Sequence, residues 1–219
     1  MPKLKTLFCC QHCDAQYPKW QGQCAECQKW NTLVNDVVEP PAANPRTTGY
    51  TGVQSQPTKL SEVALHSQVR LATGLAEFDH VLGGGLVSDS VVLIGGAPGI
   101  GKSTLLLQAA ARVASRGLSV AYISGEEAAD QVRLRALRLG LADAPIELAS
   151  ATSVRDILTT LRSMEAPVML VIDSIQTMHS DLIEGAPGTV SQVRASAQEL
   201  IRFAKESGCA VMLVGHVTK

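Results

Sequence analysis

Residues 91–107 read V-V-L-I-G-G-A-P-G-I-G-K-S-T-L-L-L, and the order of residue types in this stretch decides the fold. An apolar, mostly β-branched run, 91–94, gives way to glycines and then to a Leu, Gln and Ala segment, which predicts strand, loop and helix in succession. Inside the loop Gly96, followed after four residues by Gly101, Lys102 and Ser103, fits the phosphate-binding pattern at every fixed position. Glycines let the main chain wrap an anion, and the helix that follows aims unpaired N–H groups and its dipole at the same point. The expected ligand is ATP with Mg²⁺. Its phosphates would lie against Gly96, Ala97, Pro98, Gly99, Ile100, Gly101, Lys102, Ser103 and Thr104, with Lys102 on the β/γ-phosphates and the Ser103 hydroxyl on Mg²⁺. A plain glycine turn would not need Lys and Ser directly after its last glycine.

Downstream the pattern repeats. Apolar strands are expected at 119–124, 146–149, 168–173 and 210–215, alternating with amphipathic helices at about 102–115, 127–139, 153–164 and 190–207. Such alternation implies an α/β fold whose mainly parallel sheet is covered on both faces and binds ligands at the carboxyl ends of its strands. The strand V-M-L-V-I-D ends in Asp173, a carboxylate suited to the Mg²⁺ site. Glu126 and Glu127 follow the strand after the phosphate-loop helix, so either can face the γ-phosphate and polarise water. Glu126 is preferred, and the alternative is a pair of acids complementing a helix N-terminal dipole. G-H-V-T-K, 215–219, ends another strand, where His216 either senses the γ-phosphate or lies at a solvated strand end. Upstream, Leu75, Phe78 and Leu82 predict a helix over 71–83, stopped by Gly83, Gly84 and Gly85.

Five of the six cysteines lie in the first 27 residues. Cys10 and Cys13, then Cys24 and Cys27, form two C-x2-C knuckles whose thiolates can converge on one Zn²⁺, in a segment too short to bury a core. Cys9 is surplus and is expected beside Phe8; His12 reads as a solvated loop residue. Lys19-Trp20 and Lys29-Trp30 follow the pairs in similar positions. These tryptophans can stack on bases, but in so small a module the favoured place is the miniature core around the metal. The expected organisation is a rubredoxin-like zinc knuckle over 1–33, a Pro/Gly/Thr-rich linker over 34–58 and a nucleotide unit over 59–219.

Composition narrows the class. A hydrophobic content of 46% over 219 residues excludes a disordered polymer, and no run approaches the roughly 18 apolar residues that cross a bilayer. The N-terminus lacks an apolar signal region, so a reducing cytoplasm without disulfides is expected. A net charge of −1 gives no basic surplus, and charge by itself does not argue for nucleic acid.

Taken together, C-x2-C-x10-C-x2-C, T-G-L-A-E-F-D-H-V-L-G-G-G-L, G-G-A-P-G-I-G-K-S-T-L-L-L-Q, S-G-E-E, V-I-D-S-I-Q-T-M, P-G-T-V-S-Q-V-R and G-H-V-T-K closely resemble the RadA (Sms) family of bacterial DNA-repair proteins, relatives of RecA. The resemblance implies a RecA-like P-loop core and an ATP-driven homo-hexamer that binds single-stranded and branched DNA and migrates branches, with a recombinase or replicative helicase as further partner. It matches Glu126 to the water-activating glutamate, 216–219 to a segment coupling nucleotide to DNA, and 179–192 to a mobile DNA-contacting loop. Ser88-Asp89-Ser90 stands where that family usually has Pro-Gly-Ser, a change expected to be tolerated. The family continues past Lys219 with a second DNA loop, further strands, K-N-R-F-G and a Lon-protease-like domain. The expectation for these residues alone is therefore ATP binding with slow hydrolysis, little DNA stimulation and no branch migration. Two other readings compete: a non-motor ATP-binding module whose zinc knuckle recruits a partner, and a signalling ATPase, since the paired glutamates also resemble the KaiC proteins.

Overall fold

The computed structural model describes residues 7–10, 12–13, 15–17, 19–36, 59–62 and 70–216. Contacts divide the chain into two units, Met1–Gln54 and Ser55–Lys219.

In the first unit β1 (Leu7–Cys10) pairs antiparallel with β2 (Gln16–Tyr17) on one side and β3 (Leu33–Asp36) on the other. Pairing of Asp36 with Leu7 carries the ribbon three residues into the stretch read as linker; 37–58 lie outside the described residues. The ribbon's core is Cys10, Cys24 and Leu33, with Ala15, Tyr17 and Cys27 packed against it. Trp20 and Trp30 are 57% and 69% exposed, which corrects the expectation that they form this core. Among the described side chains the converging sulfurs and Leu33 take the interior. The side chains of Phe8 and Cys9 lie outside the described residues.

In the second unit, after a 3-10 turn at Leu60–Glu62, come β4 (Arg70–Leu71), α1 (Ala76–Val81) and β5 (Leu86–Val87), β4 and β5 pairing antiparallel. The helix expected over 71–83 is thus only six residues long. The Asp79 carboxylate explains the difference, because it accepts the N–H groups of Thr73 (2.7 Å) and Gly74 (3.0 Å) and the Thr73 hydroxyl (2.8 Å), holding 73–75 as a turn. Burial works against this charge, yet the bonds from Thr73 and Gly74 outweigh it and hold Asp79 below the usual carboxylate range. Closure onto β5 needs Gly85, where a Cβ would stand 2.6 Å from the Leu71 carbonyl oxygen.

Five parallel strands then build the main sheet, β6 (Val91–Gly96), β7 (Val120–Ser124), β8 (Glu147–Ser150), β9 (Met169–Asp173) and β10 (Ala210–His216), in the order β6-β10-β9-β7-β8. Side chains alternate across it. Ala121, Ile123, Leu170, Ile172, Val211 and Leu213 face one layer of helices, while Val120, Tyr122, Met169, Val171, Met212 and Val214 face the other. The first layer is α4 (Val154–Ser163), packed through Val154, Ile157, Leu158 and Leu161, and α5 (Val190–Ser207), packed through Leu200, Phe203 and Ala204. The second is α2 (Lys102–Ala114) with Leu106, Leu107, Ala110 and Val113, and α3 (Ala129–Arg138) with Val132. Spacing of three and four along each helix supplies one apolar face, and each large side chain so buried contributes roughly 1.5–3 kcal/mol. Ser153 and Thr189 accept the N–H groups of Asp156 and Gln192 to start α4 and α5, and Gly208, at φ 75°, ends α5. Among the described residues no helix is long and apolar enough to cross a membrane.

Candidate nucleotide and zinc sites

Strand register puts the functional groups on one edge. Gly96 stands beside His216, and Ser124 beside Asp173, so β6, β10, β9 and β7 all end where the phosphate loop begins. Gly99 and Gly101 have φ of 77° and 99°, and a Cβ on either would meet nothing within 4 Å, so backbone conformation rather than space demands glycine there. Gly101 precedes α2 without a side-chain cap, leaving the first-turn N–H groups of the helix free of side-chain partners. Ser103 and Thr104 occupy that turn. A cradle of glycines closed by an uncapped helix start is the chemistry a polyphosphate needs.

Lys102, only 7% exposed, bends back so that Nζ donates to the carbonyl oxygens of Gly96 and Ala97, both at 2.8 Å, and lies 3.4 Å from His216 Nδ1. On its far side His216 Nε2 is 3.0 Å from Glu126 Oε1. An ammonium can only donate and a carboxylate only accept, so the ring accepts at Nδ1 and donates from Nε2, linking the lysine to the glutamate. Glu126 Oε1 also accepts from Ser174 Oγ at 2.5 Å. Burial pushes the Glu126 carboxyl up, but the Ser174 and His216 hydrogen bonds and the charge of Lys102 outweigh it and hold the group below its ordinary value.

Asp173, 6% exposed at the end of β9, accepts a 2.5 Å bond from the Tyr122 hydroxyl, and its carbonyl accepts the Gly125 N–H at 2.7 Å. Burial and the charge of Asp173 push the Tyr122 phenol well above its usual range, so it stays a donor. Gly125 cannot be replaced without a clash, since a Cβ would stand 2.1 Å from Thr177 Oγ1 and 2.6 Å from Met178 Cε. This close passage carries the chain from Ser124 across to Glu126.

Glu127 points elsewhere. Its carboxylate pairs with Arg135 on α3, and its backbone is tied to the Ser124 hydroxyl in both directions, at 3.0 and 2.7 Å. That turn delays α3 to Ala129, two residues later than expected. The 179–192 segment is anchored at its base: Ser180 and Gln192 are buried, and Gln192 bonds the Ser180 N–H (2.8 Å) and the carbonyls of Ser180, Ile183 and Gly185. The exposed part, 184–191, follows. Val217, Thr218 and Lys219 lie outside the described residues.

In the ribbon the ligand atoms of Cys10, Cys13, Cys24 and Cys27 all lie within 4.8 Å of one another. Cys10 and Cys27 sulfurs are 3.6 Å apart, and those of Cys13 and Cys24 3.5 Å, close to the roughly 3.8 Å edge of a tetrahedron with Zn–S near 2.3 Å. The Thr32 hydroxyl leads the interactions that lower the Cys10 thiol to about 6. At Cys13 the Ala15 N–H pulls down, but burial and the neighbouring sulfurs push it up to about 12. Crowded thiols that cannot all ionise together are the donor set a divalent cation resolves.

Tyr122, Ser174 and Arg135 were not singled out from the sequence. Tyr122 had a signal, a phenol in the middle of an apolar strand, whereas Ser174 and Arg135 gain meaning only from what they touch.

A family model described as an AAA domain matches residues 56–219, and one described as a rubredoxin metal binding domain matches residues 8–35. The chain is 49% identical to a DNA repair protein RadA of Pseudomonas aeruginosa over all of its own length and 48% of the relative's. It is 46% identical to the Escherichia coli DNA repair protein RadA over 98% of itself and 47% of that protein, and 44% identical to the Bacillus subtilis one over 100% and 48%. The chain fits the N-terminal portion of RadA and spans about half the length of these curated relatives.

Proposed function

The chain belongs to the AAA domain family, and on that premise we propose that it is the ATP-hydrolysing part of recombinational DNA-repair machinery that binds single-stranded DNA and processes branched intermediates by branch migration. The observation that carries the reading is the Lys102–His216–Glu126 chain of contacts beneath the phosphate loop, at the carboxyl ends of β6, β10 and β7. Assembly as a homo-hexamer, with a recombinase or replicative helicase as partner, follows from the RadA resemblance.

In this reading Lys102 exchanges the Gly96 and Ala97 carbonyls for β/γ-phosphate oxygens. Ser103 and Asp173 would hold Mg²⁺, which would supply charge neutralisation on the phosphates. Glu126, already ionised, orients water and takes its proton. Departure of Lys102 from His216 Nδ1 leaves His216 attached to Glu126 alone, so His216 reports the state of the phosphate site to the glutamate. Tyr122 fixes the Asp173 carboxylate while leaving it a carboxylate. Zn²⁺ held by Cys10, Cys13, Cys24 and Cys27 is structural.

A second reading, a non-motor ATP-binding module whose zinc ribbon recruits a partner, draws on the 179–192 segment. Its described charges, Asp181 and Glu184, are acidic and suit a phosphate backbone poorly. Steady-state ATP hydrolysis with and without single-stranded DNA separates the two. Several-fold stimulation, abolished in Lys102→Ala, supports the first reading. Turnover that ignores DNA, in a protein that still binds ATP and does not bind single-stranded DNA, supports the second.

A further inference from the structure

Both tryptophans of the chain, Trp20 and Trp30, lie in the ribbon, and both are largely exposed. They are neighbours. A methyl-sized position above Gly22 would lie 3.6 Å from the Trp30 ring and 3.8 Å from the Trp20 ring, so the two indoles close on one spot floored by a residue without a side chain. Among the described side chains of the ribbon they are the only exposed large hydrophobic groups. Around them Lys19, Gln21, Gln23, Gln28, Lys29 and Asn31 are all exposed.

Among the described side chains, flat apolar faces flanked in the chain by amides and ammonium groups, with no large aliphatic group exposed beside them, suit a ligand that is itself flat, polar at its edges and joined by phosphates. A protein partner would ask for a continuous apolar patch. Among the ribbon's described side chains the exposed acidic one is Glu26, against the exposed Lys19 and Lys29. We propose that Trp20 and Trp30 form a stacking platform for the bases of single-stranded nucleic acid, with Lys19 and Lys29 beside the phosphates and the Gln side chains at the base edges. Every base has a π-face, so the platform is tolerant of sequence. This deepens the reading of the protein as a single-stranded-DNA binder and assigns a share of that binding to the ribbon.

The test uses the zinc-loaded 219-residue chain, in which tryptophan emission reports from this surface alone. Oligo-dT should quench that emission in step with the rise in anisotropy of a labelled oligo-dT, in wild type and in Lys102→Ala alike. An abasic strand of equal length should leave it unchanged. Trp20→Ala/Trp30→Ala should weaken oligo-dT binding by about tenfold or more, with zinc content unaltered, and Trp30→Phe should retain most of the affinity. Binding by anisotropy without quenching, or undiminished in the double variant, overturns the platform and leaves the function standing. No binding by anisotropy overturns both. Emission that shifts with protein concentration and is indifferent to oligo-dT assigns the indoles to a second copy of the chain and also overturns the platform.

Discussion

The zinc ribbon and the nucleotide unit are held by different physics. The ribbon buries two cysteines and one leucine, while the nucleotide unit sandwiches a five-stranded sheet between two apolar layers. A segment of some thirty residues cannot offset its chain entropy by burial, so its order should depend on a bound metal; the larger unit needs no such help. Their sites differ in the same way. The four sulfurs come from two short knuckles close in sequence, whereas the nucleotide site draws on four strands and on residues as far apart as Gly96 and His216.

The largest expected effect breaks this comparison at the metal. Structural zinc contributes roughly 10–16 kcal/mol in small fingers, so chelation should open the ribbon to protease within 7–36 and expose all four thiols to alkylation, while a fragment covering 70–216 endures digestion. A ribbon that stays protected after chelation, with its thiols unreactive, would show that burial suffices.

Next comes the glutamate pair. Glu126→Gln should keep ATP binding and slow hydrolysis by about 10²–10⁴-fold through loss of the base, whereas Glu127→Gln should chiefly lower stability by releasing Arg135. Normal turnover in Glu126→Gln with loss in Glu127→Gln would exchange the roles. The lowered Glu126 value fixes the sign of the pH effect: the group stays ionised as pH falls through the ordinary carboxylate range, so the acid limb of turnover should lie below 4.5. Ser174→Ala removes a stabilising donor and should move that limb upward.

A smaller effect is expected at Tyr122, whose hydroxyl donates to a buried carboxylate. Tyr122→Phe loses a charge-assisted bond worth about 1.5–3 kcal/mol and lets Asp173 rotate, which should raise the Mg²⁺ concentration for half-maximal hydrolysis more than it changes kcat at saturation. An unchanged Mg²⁺ dependence would reduce Tyr122 to packing. Smallest of all is Asp89, which adopts φ 61° where glycine is at ease and pairs with Lys205 at 3.3 Å. Relief of the backbone should slightly exceed the exposed ion pair, so Asp89→Gly should raise the urea midpoint by an amount corresponding to less than about 1 kcal/mol. A lowered midpoint would make the ion pair the stronger of the two.

Much of this was legible because it depends on neighbours along the chain. G-x4-G-K-S is a local conformational demand, the period-two and period-3.6 apolar patterns report which faces are buried, and two C-x2-C knuckles carry their own geometry. Where local signals competed the reading slipped. Leu75, Phe78 and Leu82 keep helical spacing across 71–83, but Asp79 spends its carboxylate on Thr73 and Gly74, and the helix shortens. The tryptophans looked like core because large aromatics usually are, yet the ribbon's interior was already taken by sulfur.

The sequence by itself determined the α/β class, the phosphate loop and the set of four cysteines, since each is written in residues within one or two turns of chain. Only the tertiary structure decided what Glu126 and Glu127 each touch. Both follow β7 with nearly equal local chemistry, and what distinguishes them is that Gly125 slips past Thr177 to bring Glu126 against Ser174 and His216, while Arg135 draws Glu127 onto α3. Partners of that kind lie up to 90 residues away, and their directions are set by strand order and helix packing, which no local pattern encodes.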